Sequence, residues 1–328
     1  MNLPDALAPP RPRMLSFADL TQEAATPVRW LWDGYLAGGA VTLLTSRWKA
    51  GKTTLVSVLL ARMGAGGELA GRAVAAGRAA VVSEESSSLW VPRARKLGLG
   101  GHVRLLAQPF PGRPSPADWA GLIDCLLDER TQHGLDLAVI DPLAVFLPGP
   151  DENNAISMLA GLNPLRRLTA AGMAVLILHH PRKADERPRG SGALSGFVDI
   201  LIEMSVPRCG GPENRQRRLQ GAARFSETPR DLRIELTADG TDYRVVPGGV
   251  GESFTEGWAA VAEVLTAAGR PLTRRELLAR WPDDSPPEPT LLWRCLERAV
   301  AEGLAERTGT GLKSDPFRYW VVGRNPAG

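Results

Sequence analysis

The amino-acid sequence predicts an α/β protein with a predominantly parallel sheet, an antiparallel extension of that sheet, and a smaller C-terminal module. Three observations lead there. The apolar runs "AVTLLTS", "AAVVS", "VRLL", "LDLAVID" and "MAVLILHH" alternate with stretches of helical periodicity between residues 40 and 180. Strands that are apolar on both faces and separated by helices belong to a parallel sheet covered on both sides. After Gly192 the text turns strand-rich, with "FVDILIEMSV", "RRLQGAARF", "DLRIELT" and "DYRVVP", which extends the same sheet without a new crossover. Lastly, "PGGVGES" at 247–253 has the composition of a linker.

Taken in chain order, residues 1–38 are Pro-rich and weakly patterned, and read as an arm anchored through Trp30 and Trp32. Residues 39–248 form the α/β domain, with helices near 52–64, 87–97, 116–132 and 154–171. A linker over 249–256 leads to a module at 257–322, and 323–328 is a tail. In the module a helix at 257–268 precedes "LTRRELLARW", where Thr273 and Glu276 make a capping-box pattern. A third helix near 289–303, with Leu292 and Trp293 expected in its core, is followed by "LAERTGTGLKSDPFRYWVV". Three helices and then a Gly-containing two-stranded hairpin is the order of a winged helix.

The composition excludes several classes. A hydrophobic share of 44% is ordinary for a globular chain. No apolar run approaches the roughly 18 residues of a membrane helix, and "MNLPDALAPP" lacks a signal-peptide core. Cys125, Cys209 and Cys295 are few and scattered, which suits a reducing cytoplasm. A net charge of +3 is too small to argue for nucleic acid. The excess of Arg over Lys accompanies abundant Ala, Gly and Pro, as a GC-rich coding sequence produces.

The chemistry begins with "SRWKAGKTT", residues 46–54. It lies between a strand and a helix, where a phosphate-binding loop belongs. Ser46 stands where the usual pattern has its first glycine. Gly51, Lys52 and Thr53 keep their places. Backbone amides of Ser46, Arg47, Trp48, Lys49, Ala50, Gly51, Lys52, Thr53 and Thr54 and the helix N-terminus would cradle the phosphates of ATP. Lys52 would reach the β and γ phosphates, and the Thr53 hydroxyl would ligate Mg²⁺. The first position needs only a small side chain unless its φ is positive, so serine is expected to be tolerated. In "LDLAVIDPL", Asp141 ends a buried strand and supplies the second magnesium-side oxygen.

The residue after Asp141 is Pro142, which cannot act as a base. Glu84 and Glu85 close the strand that follows the phosphate-loop helix and are the next carboxylates able to reach the site; helix capping near Ser87 is their other reading. His179 and His180 end the strand after Asp141, where a γ-phosphate sensor belongs, with His180 favoured and His179 as its support.

Together "SRWKAGKTT", "VVSEES", "VIDPLAVFLPGPDENN", "LILHHPRK" and "RGSGALSGFVDI" resemble the RepA-type branch of the RecA-like P-loop ATPases, an AAA-type family whose plasmid-encoded members are ring-shaped replicative helicases. The resemblance spans residues 28–246. It implies Glu85 as the residue that polarises the attacking water, with Glu84 in reserve. It also implies a subunit-interface active site completed by a neighbour's arginine. Related hexameric helicases carry Lys-x-Arg on the strand "RRLQGAARFSETP". The lysine is absent here, so only Arg224 carries over, with Arg218 as reserve. The loop "PRKADERPRGSGALSG", with Arg182, Lys183, Arg187 and Arg189, corresponds to one that grips single-stranded DNA in such rings, although Asp185 and Glu186 dilute its charge.

The expected function is therefore an ATP-hydrolysing, ring-forming motor, helicase-like and translocating on DNA in plasmid or mobile-element replication. Two rivals stand beside it: an ATP-driven loader of a protein partner, and a DNA-binding regulator whose oligomeric state ATP controls. In the module, Arg294 and Arg298 on helix three and Lys313 and Arg318 in the wing suit DNA. A slight acidic excess over 252–322 suits a protein instead.

Overall fold

The computed structural model describes residues 14, 16–17, 27–148, 155–180, 191–207, 214–246, 252–282, 286–287, 289–312 and 314–323. The strands in chain order are β1 (Trp30–Trp32), β2 (Leu36–Ala37), β3 (Val41–Thr45), β4 (Gly67–Leu69), β5 (Arg72–Val74), β6 (Ala79–Ser83), β7 (Val103–Ala107), β8 (Leu137–Asp141), β9 (Ala174–His179), β10 (Ile200–Ser205), β11 (Gln216–Ala223), β12 (Leu232–Leu236) and β13 (Tyr243–Val245). Nine of them form one sheet in the order β13-β12-β11-β10-β3-β9-β8-β6-β7. From β10 through to β7 every pairing is parallel, and β11, β12 and β13 add on in antiparallel fashion. The predicted mostly parallel α/β architecture is observed.

Strand alternation divides the core between the two sheet faces. Leu137 and Val139 of β8, with Leu176 and Leu178 of β9, meet one face; there lie α1 (Lys52–Met63) and α2 (Ser87–Leu97), represented by Leu55, Leu59 and Trp90. Ala138, Ile140, Val175 and Ile177 point the other way, toward α3 (Pro116–His133), α4 (Leu143–Phe146), α5 (Ala155–Leu162) and α6 (Leu165–Ala170). Each fully buried Leu or Ile contributes about 1.5–3 kcal/mol relative to exposure. Helix α3 starts at a Ser115–Asp118 capping box with Pro116 in its first turn, and stops at Gly134 in the left-handed region. Its Trp119 is 1% exposed and donates from Nε1 to the Gly161 carbonyl at 2.8 Å.

Three features were not apparent in the sequence. Residues 30–37, read as part of an arm, form β1 and β2 of a small antiparallel sheet ordered β2-β1-β5-β4. Trp32 is buried there, with its indole N–H on the Leu69 carbonyl. Trp30 meets Phe225 edge-on at 5.2 Å. Strands of two or three residues have no period to read. Second, the strand expected from Phe197 begins only at Ile200. Phe197 instead closes α7 (Ser191–Phe197), and the Asp199 carboxylate turns inward to accept the Val41 N–H at 2.9 Å. The predicted single helix near 154–171 is also interrupted, since Pro164 lies between α5 and α6.

The C-terminal residues form α8 (Glu252–Ala268), β14 (Leu272–Thr273), α9 (Arg274–Ala279), α10 (Pro289–Ala301), β15 (Ala305–Thr308) and β16 (Arg318–Val321), with sheet order β14-β16-β15. The Thr273–Glu276 capping box is present. Val261, Leu265, Leu277, Leu292, Leu296 and Tyr319 make a core of their own. Trp293, expected in that core, is instead 43% exposed. One residue is a 100° step on a helix, so a neighbour of Leu292 leaves the face that Leu292 and Leu296 share. Among the described residues no helix is long and apolar enough to cross a membrane.

Candidate functional site

Four adjacent strands carry the site at their carboxyl ends. Register pairs Thr45 with His179 and Ser83 with Asp141, so β3, β9, β8 and β6 finish along one edge of the sheet. Beyond that edge lie the 46–54 loop, His180, Asp141 and the Glu84–Glu85 pair, in that lateral order. The crevice outside the strand ends of an open parallel sheet is where such folds bind ligands.

In the phosphate loop, positive φ falls on Lys49 (60°) and Gly51 (95°), with Ser46 on neither side of that need. A serine at the first position therefore introduces no strain. Its side chain is also engaged. Lys52, 3% exposed, donates from Nζ to the Ser46 hydroxyl at 2.8 Å and to the Ser46 carbonyl at 3.0 Å. The third contact of Nζ is His180 Nδ1 at 2.8 Å. Burial lowers the Lys52 pKa to about 8, against a smaller opposing effect of Asp141. Burial and then the Lys52 charge bring His180 down to about 4, so His180 is a neutral acceptor for the ammonium near pH 7. Ala50 is buried, whereas Arg47, Trp48 and Lys49 are exposed; Lys49 lies over the Trp48 ring at 4.3 Å.

Thr53 donates from Oγ1 to Asp141 Oδ2 at 2.8 Å, joining the first turn of α1 to the end of β8. Asp141 is 6% exposed, and burial raises its pKa above the usual carboxylate range despite that hydrogen bond. A buried carboxylate and a buried ammonium whose mutual attraction does not offset the hydration each has lost are the pattern that Mg²⁺ and a polyphosphate would relieve together. The oxygen donors of Thr53 and Asp141 suit that hard cation.

Glu85 and Glu84 differ in their surroundings. Glu85 Oε2 accepts from Arg93 Nη1 at 2.7 Å. Arg93 stacks over Trp90 at 4.5 Å, and both the Trp90 indole and the Glu85 backbone N–H donate to Ser83 Oγ at 3.0 Å. Glu84 has its N–H on the Asp141 carbonyl at 3.1 Å, and lost hydration, then Asp141 and Glu85, push its carboxyl up.

Arg218 and Arg224 lie elsewhere. Arg218 makes a two-bond pair with Asp231 at 2.8 and 2.7 Å, and Arg224 approaches Asp199 at 3.3 Å. Since β11 runs antiparallel to β10, with Ala223 opposite Ile200 and Ile200 opposite Thr42, Arg224 is at the sheet end remote from the phosphate loop. Arg217, whose guanidinium meets the Ala50 carbonyl of that loop, lies seven residues before Arg224, a separation of about 23 Å along a strand. The loop residues Arg182, Lys183, Arg187 and Arg189, Lys313 of the wing, and Asn153, a candidate cap for the helix after "PGPDENN", fall outside the described residues.

Sequence reasoning missed Arg93, Ser83 and Arg217. Only Arg217 left a trace: it directly precedes Arg218 on a strand, so it must face the opposite way, toward the core side where the loop lies.

Compared with known families, the chain matches the AAA domain over residues 6–186, more than half its length. That span contains the 46–54 loop, Glu84, Glu85, Asp141 and His180, and ends before β10 and β11. No curated protein matches it. The chain therefore belongs to the AAA domain family, an ATPase-type nucleotide-binding family built on a P-loop α/β core.

Proposed function

We propose that the chain binds Mg·ATP on its 46–54 loop and hydrolyses it as a ring-forming motor of the RepA-type RecA-like branch, moving on single-stranded DNA. The observation that carries this reading is the convergence of Lys52, the Thr53–Asp141 hydrogen bond, Glu84/Glu85 and His180 on four neighbouring strand ends. Lys52 exchanges its contacts with Ser46 and His180 for phosphate oxygens. Thr53 and Asp141, whose oxygens already meet at 2.8 Å, would hold Mg²⁺, and the ion would supply charge neutralisation at the transferring phosphoryl group. Glu85, held by Arg93 through one oxygen, keeps the other for the attacking water; Glu84 is the reserve. His180, within reach of Lys52, senses the γ phosphate.

Arg224 sits too far along β11 to reach its own loop. By the RepA-type resemblance it serves the site of a neighbouring subunit in a ring, a hexamer by analogy with related helicases, exchanging its contact with Asp199 for phosphate oxygens. The C-terminal module has the element order of a winged helix. A second reading, a loader acting on a protein partner, is favoured by the exposed Trp293 and by the pairing of Arg298 with Glu302 and Arg307 with Glu297, which engages those cations away from phosphate.

Steady-state ATPase with and without single-stranded DNA, on protein whose mass is measured with nucleotide bound, tests the proposal. Turnover raised by DNA in a multi-subunit species is expected. Stimulation by a replication protein and not by DNA favours the loader. Site-specific duplex binding with negligible turnover favours a regulator.

A further inference from the structure

The guanidinium of Arg217, from β11, lies against the phosphate loop of its own chain, 167 residues away in sequence. Nε donates to the Ala50 carbonyl at 2.5 Å. Nη1 donates to the carbonyls of Asn214 at 2.9 Å and Gln216 at 2.6 Å. A Cβ placed on Gly51 would lie 3.5 Å from Nε and 3.6 Å from Nη2, so the guanidinium covers the peptide that joins Ala50 to Gly51. Those partners are main-chain carbonyls, which fix the plane of the group without cancelling its charge.

A trans peptide sets its C=O and N–H antiparallel. Pinning the Ala50 carbonyl toward β11 therefore turns the Gly51 N–H away from β11, toward the start of α1 and the place of the phosphates. Gly51 has φ 95°, a conformation with little local preference to hold that orientation by itself. We infer that Arg217 is a positioning residue for nucleotide binding, presetting the Gly51 N–H as a phosphate donor through its hold on the Ala50 carbonyl. This rests on the ATP-binding reading of the loop.

The test compares full-length wild type with Arg217→Met and Arg217→Gln, measuring Mg·ADP affinity by calorimetry and thermal unfolding without nucleotide. Arg217→Met should weaken binding about tenfold, the scale of one charge-assisted hydrogen bond. Arg217→Gln, a neutral donor, should recover most of that loss, and unfolding midpoints should agree. Wild-type affinity in the Met variant overturns the inference, and so does a Gln variant as weak as Met. If the Met variant does not fold, Arg217→Lys and Arg217→Gln decide. Both keep a donor and only Lys keeps the charge, so affinity near wild type in both supports positioning, and a loss in Gln, alone or together with Lys, overturns it. Wild type that takes up no Mg·ADP refutes the nucleotide-binding reading itself, a separate outcome.

Discussion

Nucleotide binding should draw protons from solution at alkaline pH, because Lys52 is poised to titrate there. Its pKa in the free site is about 8, with burial as the main cause. At pH 7 about a tenth of the molecules then hold a neutral amine, at pH 8 about half, and at pH 9 about nine-tenths. A polyphosphate within contact distance raises the pKa of an ammonium by roughly 1–3 units, so the bound state is charged across much of this range. Proton uptake per nucleotide should therefore climb from about 0.1 at pH 7 to about 0.5 at pH 8. Affinity follows with the same sign, flat below pH 7 and falling as pH rises through 8. His180, near 4 in the free site, is neutral there, and any proton it takes up beside phosphate would decline as pH rises, opposite to the Lys52 trend. Asp141, raised by burial, would release a proton on metal binding, but that contribution shrinks as pH rises. Calorimetry of Mg·ADP in buffers of different ionisation enthalpy reads the uptake directly. Lys52→Arg supplies the control, since a guanidinium does not titrate in this window. Uptake that is flat or falls between pH 7 and 9, or that persists in Lys52→Arg, refutes the reasoning.

Glu85→Gln should lower turnover by about 10²–10⁴-fold while leaving Mg·ADP affinity near wild type, as loss of a general base does; Glu84→Gln, measured in parallel, should have the smaller effect. Arg224→Ala should abolish hydrolysis without abolishing ATP binding, and normal turnover in that variant removes Arg224 from the interface. Gly221→Ala should destabilise the protein by several degrees in thermal unfolding, because a Cβ there would lie 2.2 Å from the Pro229 carbonyl oxygen and the 224–230 segment would have to move off the small sheet.

The site was legible in the sequence to the extent that it sits at strand ends. Ser46 to Thr54, Glu84–Glu85, Asp141 and His179–His180 each follow an apolar run, and a parallel sheet brings the carboxyl ends of its strands to one edge. Contacts that run between elements were not legible. Nothing local marks Arg93 as the partner of Glu85. The Ser46 exchange read as merely tolerable, and its role as an acceptor for Lys52 depends on how the loop folds back on α1.

The sequence by itself determined the five parallel strands β3, β6, β7, β8 and β9, four of which carry the site, the three helices at 52–63, 87–97 and 116–133, and the residue types at the phosphate loop, since hydrophobic period and glycine placement act over a few residues. Only the tertiary structure decided which arginine of β11 meets the chain's own loop and which lies at the far end. That choice depends on the register of β11 against β10, and register is set by packing across the whole sheet.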